Sequence, residues 1–270
     1  MLRLYILFFF ICLILLPSQT MADRNFRLAV TTSFNNSGLA KLLIPELEKQ
    51  SKINIDLIVA GTGQALKLGQ NGDVDAVFVH AKQAELNFIK QGYGIHRRKI
   101  MYNDFIIIGP QEDPASLKMA DSALECFENL HQAKYDFISR GDDSGTHLKE
   151  KQLWNQIAKD PLQFQKWYKA VGAGTGTSLN IAAALGAYAL VDRASWLNFK
   201  NKQKLAVLCE NDAIFFNQYS YIPISKIKHA HIQYEHALII ENWLTGSKSS
   251  NIINNYKIKD QQLFYFNGKK

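Results

Sequence analysis

The residues best suited to chemistry lie in the run Ser139-Arg140-Gly141-Asp142-Asp143-Ser144-Gly145-Thr146-His147. It combines a permanent cation, two acids, three hydroxyls and two glycines, and a periodic segment, Leu148 to Ile157, follows directly. A helix start exposes backbone N–H groups that no residue of the helix can satisfy, so it favours an anion. The run therefore points to oxyanion binding. Its aspartates have two readings: they orient Arg140, which is the favoured one, or one of them accepts a proton from a protonated ligand.

Three other turns repeat the pattern of a hydroxyl or glycine turn that opens a helix. They are Thr32-Ser33 with Ser37-Gly38, Gly61-Thr62-Gly63, and Thr177-Ser178 after Gly172-Ala-Gly174-Thr-Gly176. Any one alone is explained by helix capping and turn chemistry. Together they suggest one cleft, because ligands of open α/β sheets bind outside the carboxyl ends of the strands. Each helix start favours an anion by about 0.3–1 kcal/mol, and a charge-assisted bond from Arg140 adds about 1.5–3 kcal/mol. Arg193, directly after a strand, is a candidate second cation. His80 and His147 stand alone and read as structural.

Catalysis finds little support. Ser144 is not in a G-x-S-x-G elbow, the glycine runs lack a dinucleotide fingerprint and a P-loop lysine, and no His or Cys spacing suits zinc. No cofactor and no protein-bound metal is expected.

The elements that must position these turns alternate. Strands are expected at Arg27–Val30, Ile53–Val59, Val74–Val79, Phe105–Ile108, Tyr135–Ser139 and Ala187–Val191. Helices are expected at Leu39–Gln50, Gln64–Gly69, Ala84–Gln91, Ser122–Ala133, Leu148–Ile157, Leu179–Gly186 and His229–Leu244. Such alternation implies an α/β fold with a parallel sheet. Residues 1–22 have a charged n-region at Arg3, an apolar run from Leu4 to Leu16 and a short polar zone, the layout of a secretory signal peptide. About 248 residues remain, enough for one large domain or two lobes. In an oxidising compartment Cys126 and Cys209 form either one disulfide or two buried thiols. The net charge of +7 is concentrated late in the chain without a basic–aromatic stripe, so nucleic acid is not an expected partner.

The chain resembles the periplasmic tungstate-binding proteins of ABC importers, relatives of the molybdate- and phosphate-binding proteins. The resemblance is carried by Thr31-Thr-Ser33 with Ser37-Gly-Leu39, by Gly61-Thr-Gly-Gln-Ala65, and by Gly72-Asp-Val-Asp75 with Val79-His80. Gly92-Tyr-Gly94, Met101-Tyr-Asn-Asp-Phe105 with Gly109-Pro110, the Ser139–His147 run, Trp167-Tyr168, Gly172-Ala-Gly174 and Asp192-Arg193 complete it. It implies a two-lobed periplasmic-binding-protein (Venus-flytrap, type II) fold with a hinge of two crossovers, near Ile107–Pro110 and Asn217–Tyr221. Lobe 1 would be 23–108 plus 220–270 and lobe 2 would be 109–219. The implied ligand is tungstate or molybdate, delivered by a periplasmic monomer to a membrane permease. The implied contacts are Thr32, Ser33, Thr62, Arg140, Ser144 and Thr146, with Ser178 and Arg193 as further candidates. The chain departs from the family pattern with Val30 in place of a threonine, Thr175 where a methionine is frequent, Ser178 near a usual threonine, and Asn217-Gln-Tyr-Ser220 in place of Asn-Pro-Tyr-Gly. The rival readings are a phosphate-binding protein and an exported hydrolase using Ser144.

Overall fold

The computed structural model describes residues 24–269. The expected signal peptide lies outside the described residues. Among them, no helix is long and apolar enough to cross a membrane.

Strand β1 (Phe26–Thr31) is buried along nearly its whole length, and it pairs in parallel with β2 (Ile55–Ala60) and β3 (Ala76–Val79). A continuous apolar strand of this kind suits the middle of a sheet covered on both faces. Beyond β3 the sheet continues antiparallel through β9 (Phe216–Pro223) to β4 (Arg98–Pro110) and β12 (Tyr265–Phe266).

The longest of these strands, β4, changes partners along its length. Arg98 to Asp104 pair with β9, whereas Phe105 to Ile108 pair with β7 (Ala189–Asp192), and Ile107 to Pro110 pair with β8 (Leu205–Cys209). The expected strand at Phe105–Ile108 is therefore only the apolar end of a 13-residue strand. Its first half, Arg98-Lys-Ile-Met-Tyr-Asn-Asp104, mixes charge with apolar residues and hides its strand character. The sheet is also mixed rather than parallel. The parallel pairs are β1–β2, β1–β3 and β5 (Phe137–Ser139) with β6 (Tyr168–Ala170), whereas β4 and β9 run antiparallel to each other and to their other neighbours.

Each half of the sheet has its own core. Phe26, Phe34, Leu43, Phe78, Tyr219 and Tyr221 belong to one cluster, and Ala29, Val77, Phe88 and Ile222 to another beside the same strands. Phe105, Phe127, Phe137, Trp154 and Tyr188 pack on the other half, with Ile106, Ile108, Leu179 and Val191 on its opposite face. The Cys126–Cys209 disulfide lies in this second half, which settles the alternative that the sequence left open.

Several helices start at a polar side chain that caps them, and others start after a glycine. Thr31 caps α1 (Thr32–Ser37), a helix absent from the sequence expectation, which had a loop there before α2 (Ala40–Ser51). Glycine 61 precedes α3 (Thr62–Asn71), and α4 (Lys82–Lys90) and α5 (Ala123–Ala133) follow. Ser144 caps α6 (Gly145–Gln156), and Gly174 precedes α7 (Thr175–Leu185). Asp192 caps α8 (Arg193–Asn198). The expected helix from His229 begins only at Tyr234, as α9 (Tyr234–Leu244); the His229 and His231 rings instead bond the carbonyl oxygens of Gln70 and Gly72.

Candidate functional site

Strands β1, β2 and β5 each end at a turn that opens α1, α3 or α6, and these turns meet across the boundary between the two cores. Gly61 has no side chain, and one placed there would lie 3.6 Å from the Cα and Cβ of Ser144. The Gly63 N–H donates to the Asp143 carbonyl at 3.3 Å. A side chain on Gly145 would run into the His80 ring. At Gly145 glycine is needed for space rather than for backbone freedom, whereas a side chain at Gly61 would make only ordinary contact.

Thr62 and Thr146 face this junction from α3 and α6. Both are almost fully buried, at 0% and 1% exposure, and neither hydroxyl has a hydrogen-bond partner. Buried hydroxyls are nearly always paired in folded proteins, so these two, at the starts of neighbouring helices, are free to donate to an acceptor placed at the junction. Both lie in the first turn of helices of ten and twelve residues, where the Gly63 and His147 N–H groups are bonded to the Asp143 carbonyl and Ser144 Oγ and the others find no partner within the helix.

Arg140 lies under the same turns, with its side chain 5% exposed. Its guanidinium donates to Thr175 Oγ1 at 2.8 Å, to the Ala173 carbonyl at 3.4 Å and to Asp142 Oδ2. Asp142 also accepts the Ser144 N–H at 3.2 Å. Of the two readings of the aspartates, the geometry thus matches orientation for Asp142. Asp143 points outward with its side chain 73% exposed, near His147 and Lys151.

Thr32 is the half-buried first residue of α1, and Ser33, fully buried, follows it. Ser33 Oγ lies 3.0 Å from Thr31 Oγ1 and 2.8 Å from His80 Nε2, and it accepts from the Tyr219 hydroxyl at 3.1 Å. Burial, reinforced by the Arg140 charge, lowers the His80 pKa to about 3, so the imidazole is neutral.

Two sequence candidates are engaged elsewhere. Ser178 is not in a turn, because α7 begins earlier than expected. Its hydroxyl donates back to the Ala173 and Gly174 carbonyls at 3.2 Å. Arg193 grips Asp104 of β4 through Nε at 2.9 Å and a terminal nitrogen at 2.6 Å, and reaches Glu210 at 2.6 Å. The Asp104 hydrogen bond raises its pKa further, in keeping with a fixed ion pair.

Sequence reasoning missed Thr31, His80, Asn103, Thr175, Asn217 and Tyr219. A signal existed for His80, which directly follows β3 at the carboxyl end where ligands collect. Asn217 donates to Asn103 at 2.7 Å across β9 and β4, leaving Asn103 Nδ2 and Asn217 Oδ1 buried without partners. A cavity of about 500 Å³ opens beside the site between α1 and α7, lined by Asn35, Lys41, Thr175, Ser195 and Asn198.

The arrangement can surround a small anion with neutral donors and one charge. Nothing in it activates Ser144 as a nucleophile. Its Oγ accepts the His147 N–H, and His147 Nδ1 accepts from the Asp143 N–H.

Comparison with known proteins identifies the family of the chain. The family model for the PBP superfamily domain matches residues 18–244. A curated relative, the tungstate-binding protein TupA of Peptoclostridium acidaminophilum, is 38% identical over 240 residues, covering 88% of this chain and 83% of its own. The crystal structure of the tungstate ABC transporter from Geobacter sulfurreducens is 41% identical with a TM-score of 0.78, covering 87% of this chain and all of that one. The tungstate-binding protein TupA from Desulfovibrio alaskensis G20 is 36% identical with a TM-score of 0.77, covering 90% and 99%.

Proposed function

This chain belongs to the PBP superfamily, and we propose that it captures one tetrahedral oxyanion, tungstate, for delivery to the permease of an ABC importer. The observation that carries this reading is the pair of buried, unpartnered hydroxyls of Thr62 and Thr146 beside the buried Arg140. Relatives that are 35–38% identical bear the name tungstate-binding protein.

In this reading the dianion sits between the starts of α3 and α6. Thr62, Ser144 and Thr146 supply hydroxyl or backbone donors, and Thr32 and Ser33 close the site from the α1 side. Arg140 compensates charge while Asp142 and Thr175 hold it in place. Neutral donors suit a fully deprotonated oxyanion, since an acceptor directed at it would repel it. Ser178 and Arg193 act as supports, the latter by fixing β4 to the lobe-2 side. The lobes are 23–108 with 220–270 and 109–219, joined through β4 and β9; the passage of β4 from β9 to β7 and β8 along its length supports it as one of the two crossovers. Export through residues 1–22 places the protein in the periplasm, and molybdate, of the same shape and charge, is the competing ligand.

Calorimetry with tungstate, molybdate, sulfate and phosphate tests the proposal. Tungstate is expected to bind most tightly, with sulfate and phosphate at least a hundredfold weaker. One observation favours a second reading. Asp192 is fully buried with Oδ2 unpartnered, in the field of Arg140, and is the kind of acceptor a protonated phosphate needs. Tight phosphate binding without tungstate heat would establish that reading instead.

A further inference from the structure

The Ser33 hydroxyl has one proton and two lone pairs, and the protein already offers it three neighbours: Thr31, His80 and Tyr219. Its hydrogen-bonding capacity is full. Counting leaves two arrangements of the proton, each with one buried group lacking a partner: the Thr31 hydroxyl proton in one and His80 Nδ1 in the other. If His80 carried its proton on Nε2, Ser33 would receive from both His80 and Tyr219 and would give its own proton to Thr31. The Thr31 hydroxyl proton would then be left buried without an acceptor, at 2% exposure. With the proton on Nδ1, Thr31 and Tyr219 both donate to Ser33, and Ser33 donates to Nε2. Every hydroxyl proton is then matched. The Nδ1 proton has no hydrogen-bond partner at normal geometry, and what favours it there is the amide of Asn217, whose Oδ1 is likewise unpartnered, with the histidine's own backbone.

The imidazole occupies a decisive position. It stacks on Tyr219 of β9 at 4.6 Å between centroids and lies 6.1 Å from Phe105, where β4 changes partners. Its Nδ1–Cε1 edge abuts Gly145, the first residue of α6, between the candidate donors Ser144 and Thr146. One ring thus touches the β1 turn, the α6 start and both crossing strands.

We propose that His80 is a positioning residue for the bound oxyanion: its Nε2 fixes the Ser33 hydroxyl, and its Nδ1 edge seats the Gly145 turn so that Ser144 and Thr146 meet the donors of the facing lobe. The inference rests on the oxyanion-binding reading above. It assigns Ser33 a different task from direct donation, because its proton is committed to His80.

The test combines His80→Leu and His80→Gln with nitrogen NMR of the histidine ring. A glutamine amide oxygen can replace Nε2 as acceptor for Ser33, whereas leucine cannot. Tungstate affinity is expected to fall at least thirtyfold in His80→Leu and to recover to within about fivefold of wild type in His80→Gln. The wild-type ring is expected to show protonation at Nδ1 with and without tungstate. Wild-type affinity in a folded His80→Leu variant, or a ring protonated at Nε2, would overturn the inference while leaving the function intact. Should the leucine variant fail to fold, the ring measurement on the wild type decides. A wild-type protein that binds none of the oxyanions would overturn the functional reading first, and this inference with it.

Discussion

The turn at Thr31–Ser33 and the turn at Ser139–Thr146 each end a strand and open a helix, but they carry different chemistry. The first is neutral throughout: Thr31, Ser33, Tyr219 and an imidazole kept uncharged by burial and by the cation opposite. The second holds the site's buried arginine, locked to Asp142 and Thr175, and has a buried carboxyl, Glu150, behind it. On the proposed reading, the difference divides the cleft into a charged wall and a neutral one. One wall supplies charge that is already oriented, so little reorganisation remains when the ligand arrives. The other supplies dipoles that add no charge when the ligand is absent.

The largest break in this comparison comes from removing the charge. Arg140→Ala is expected to weaken tungstate binding by about thirtyfold to a few thousandfold in calorimetry. Loss of one partner of a buried, hydrogen-bonded charge pair costs about 2–5 kcal/mol, and Asp142 is left facing the anion. Arg140→Lys should recover only part of this, because an ammonium cannot reproduce the planar fork shared among Asp142, Thr175 and Ala173. Near wild-type affinity in Arg140→Ala would show that the walls are not divided by charge.

The two halves also differ in how they are tied. Cys126 on α5 and Cys209 on β8 close a separation of 83 residues in the second half, and the first half has no such bond among the described residues. Replacing both by serine is expected to cost about 2–4 kcal/mol, chiefly through the freer unfolded chain. The loss should show as a lower urea midpoint and as faster hydrogen exchange confined to residues 109–219. Uniform loosening of the whole chain would mean that the halves unfold as one unit.

Much of this contrast was legible in the sequence, because capping residues and glycines have local causes. Thr62, Arg140, Ser144 and Thr146 announce themselves by type and by position before a helix, and the structure gathers them at one junction. What was not legible depends on partners distant in the chain. Arg193 looked like a free cation until Asp104 and Glu210, some 89 and 17 positions away, were found to hold it. His80 looked idle because Ser33, Gly145 and Tyr219 approach it from three separate segments. The mixed sheet was hidden by β4, whose charged first half carries no strand signature.

A smaller effect separates the walls by pH. Burial raises the Glu150 pKa from 4.5 to about 7, despite bonds from the Tyr168 hydroxyl at 2.6 Å and the Trp154 indole at 3.3 Å. Its folded form keeps a proton that the unfolded chain releases, so its contribution is complete below about pH 4.5 and lost as pH rises to about 7, at up to about 1.4 kcal/mol per pH unit. His80 behaves oppositely. Its pKa falls from 6.5 to about 3, so its contribution is complete above about pH 6.5 and lost as pH drops. Between about pH 4.5 and 6.5 the two slopes oppose each other. Glu150→Gln removes one of them. Urea midpoints of that variant are expected to climb with pH through this window, where those of the wild type stay nearly level. Parallel curves would contradict the assigned titrations.

The finest test uses the two orphaned hydroxyls, because ligand binding and folding should respond with opposite sign. Thr62→Val and Thr146→Val each replace a buried hydroxyl that has no partner by a methyl of the same size. An unsatisfied buried hydroxyl costs about 1–3 kcal/mol, so each ligand-free variant should unfold at an equal or higher urea concentration than the wild type. A hydroxyl that donates to a dianion is worth about 1.5–3 kcal/mol, so each variant should bind tungstate at least tenfold more weakly. Ser178→Ala is the control, since that hydroxyl is spent on the Ala173 and Gly174 carbonyls and should leave affinity unchanged. A structural hydroxyl cannot produce this pattern: its loss would lower stability, and affinity would follow only as far as the fold was damaged. If both threonine variants instead lost stability while keeping their affinity, the anion would have to lie outside the junction of α3 and α6, and the division of the cleft into a charged and a neutral wall would lose its geometric basis.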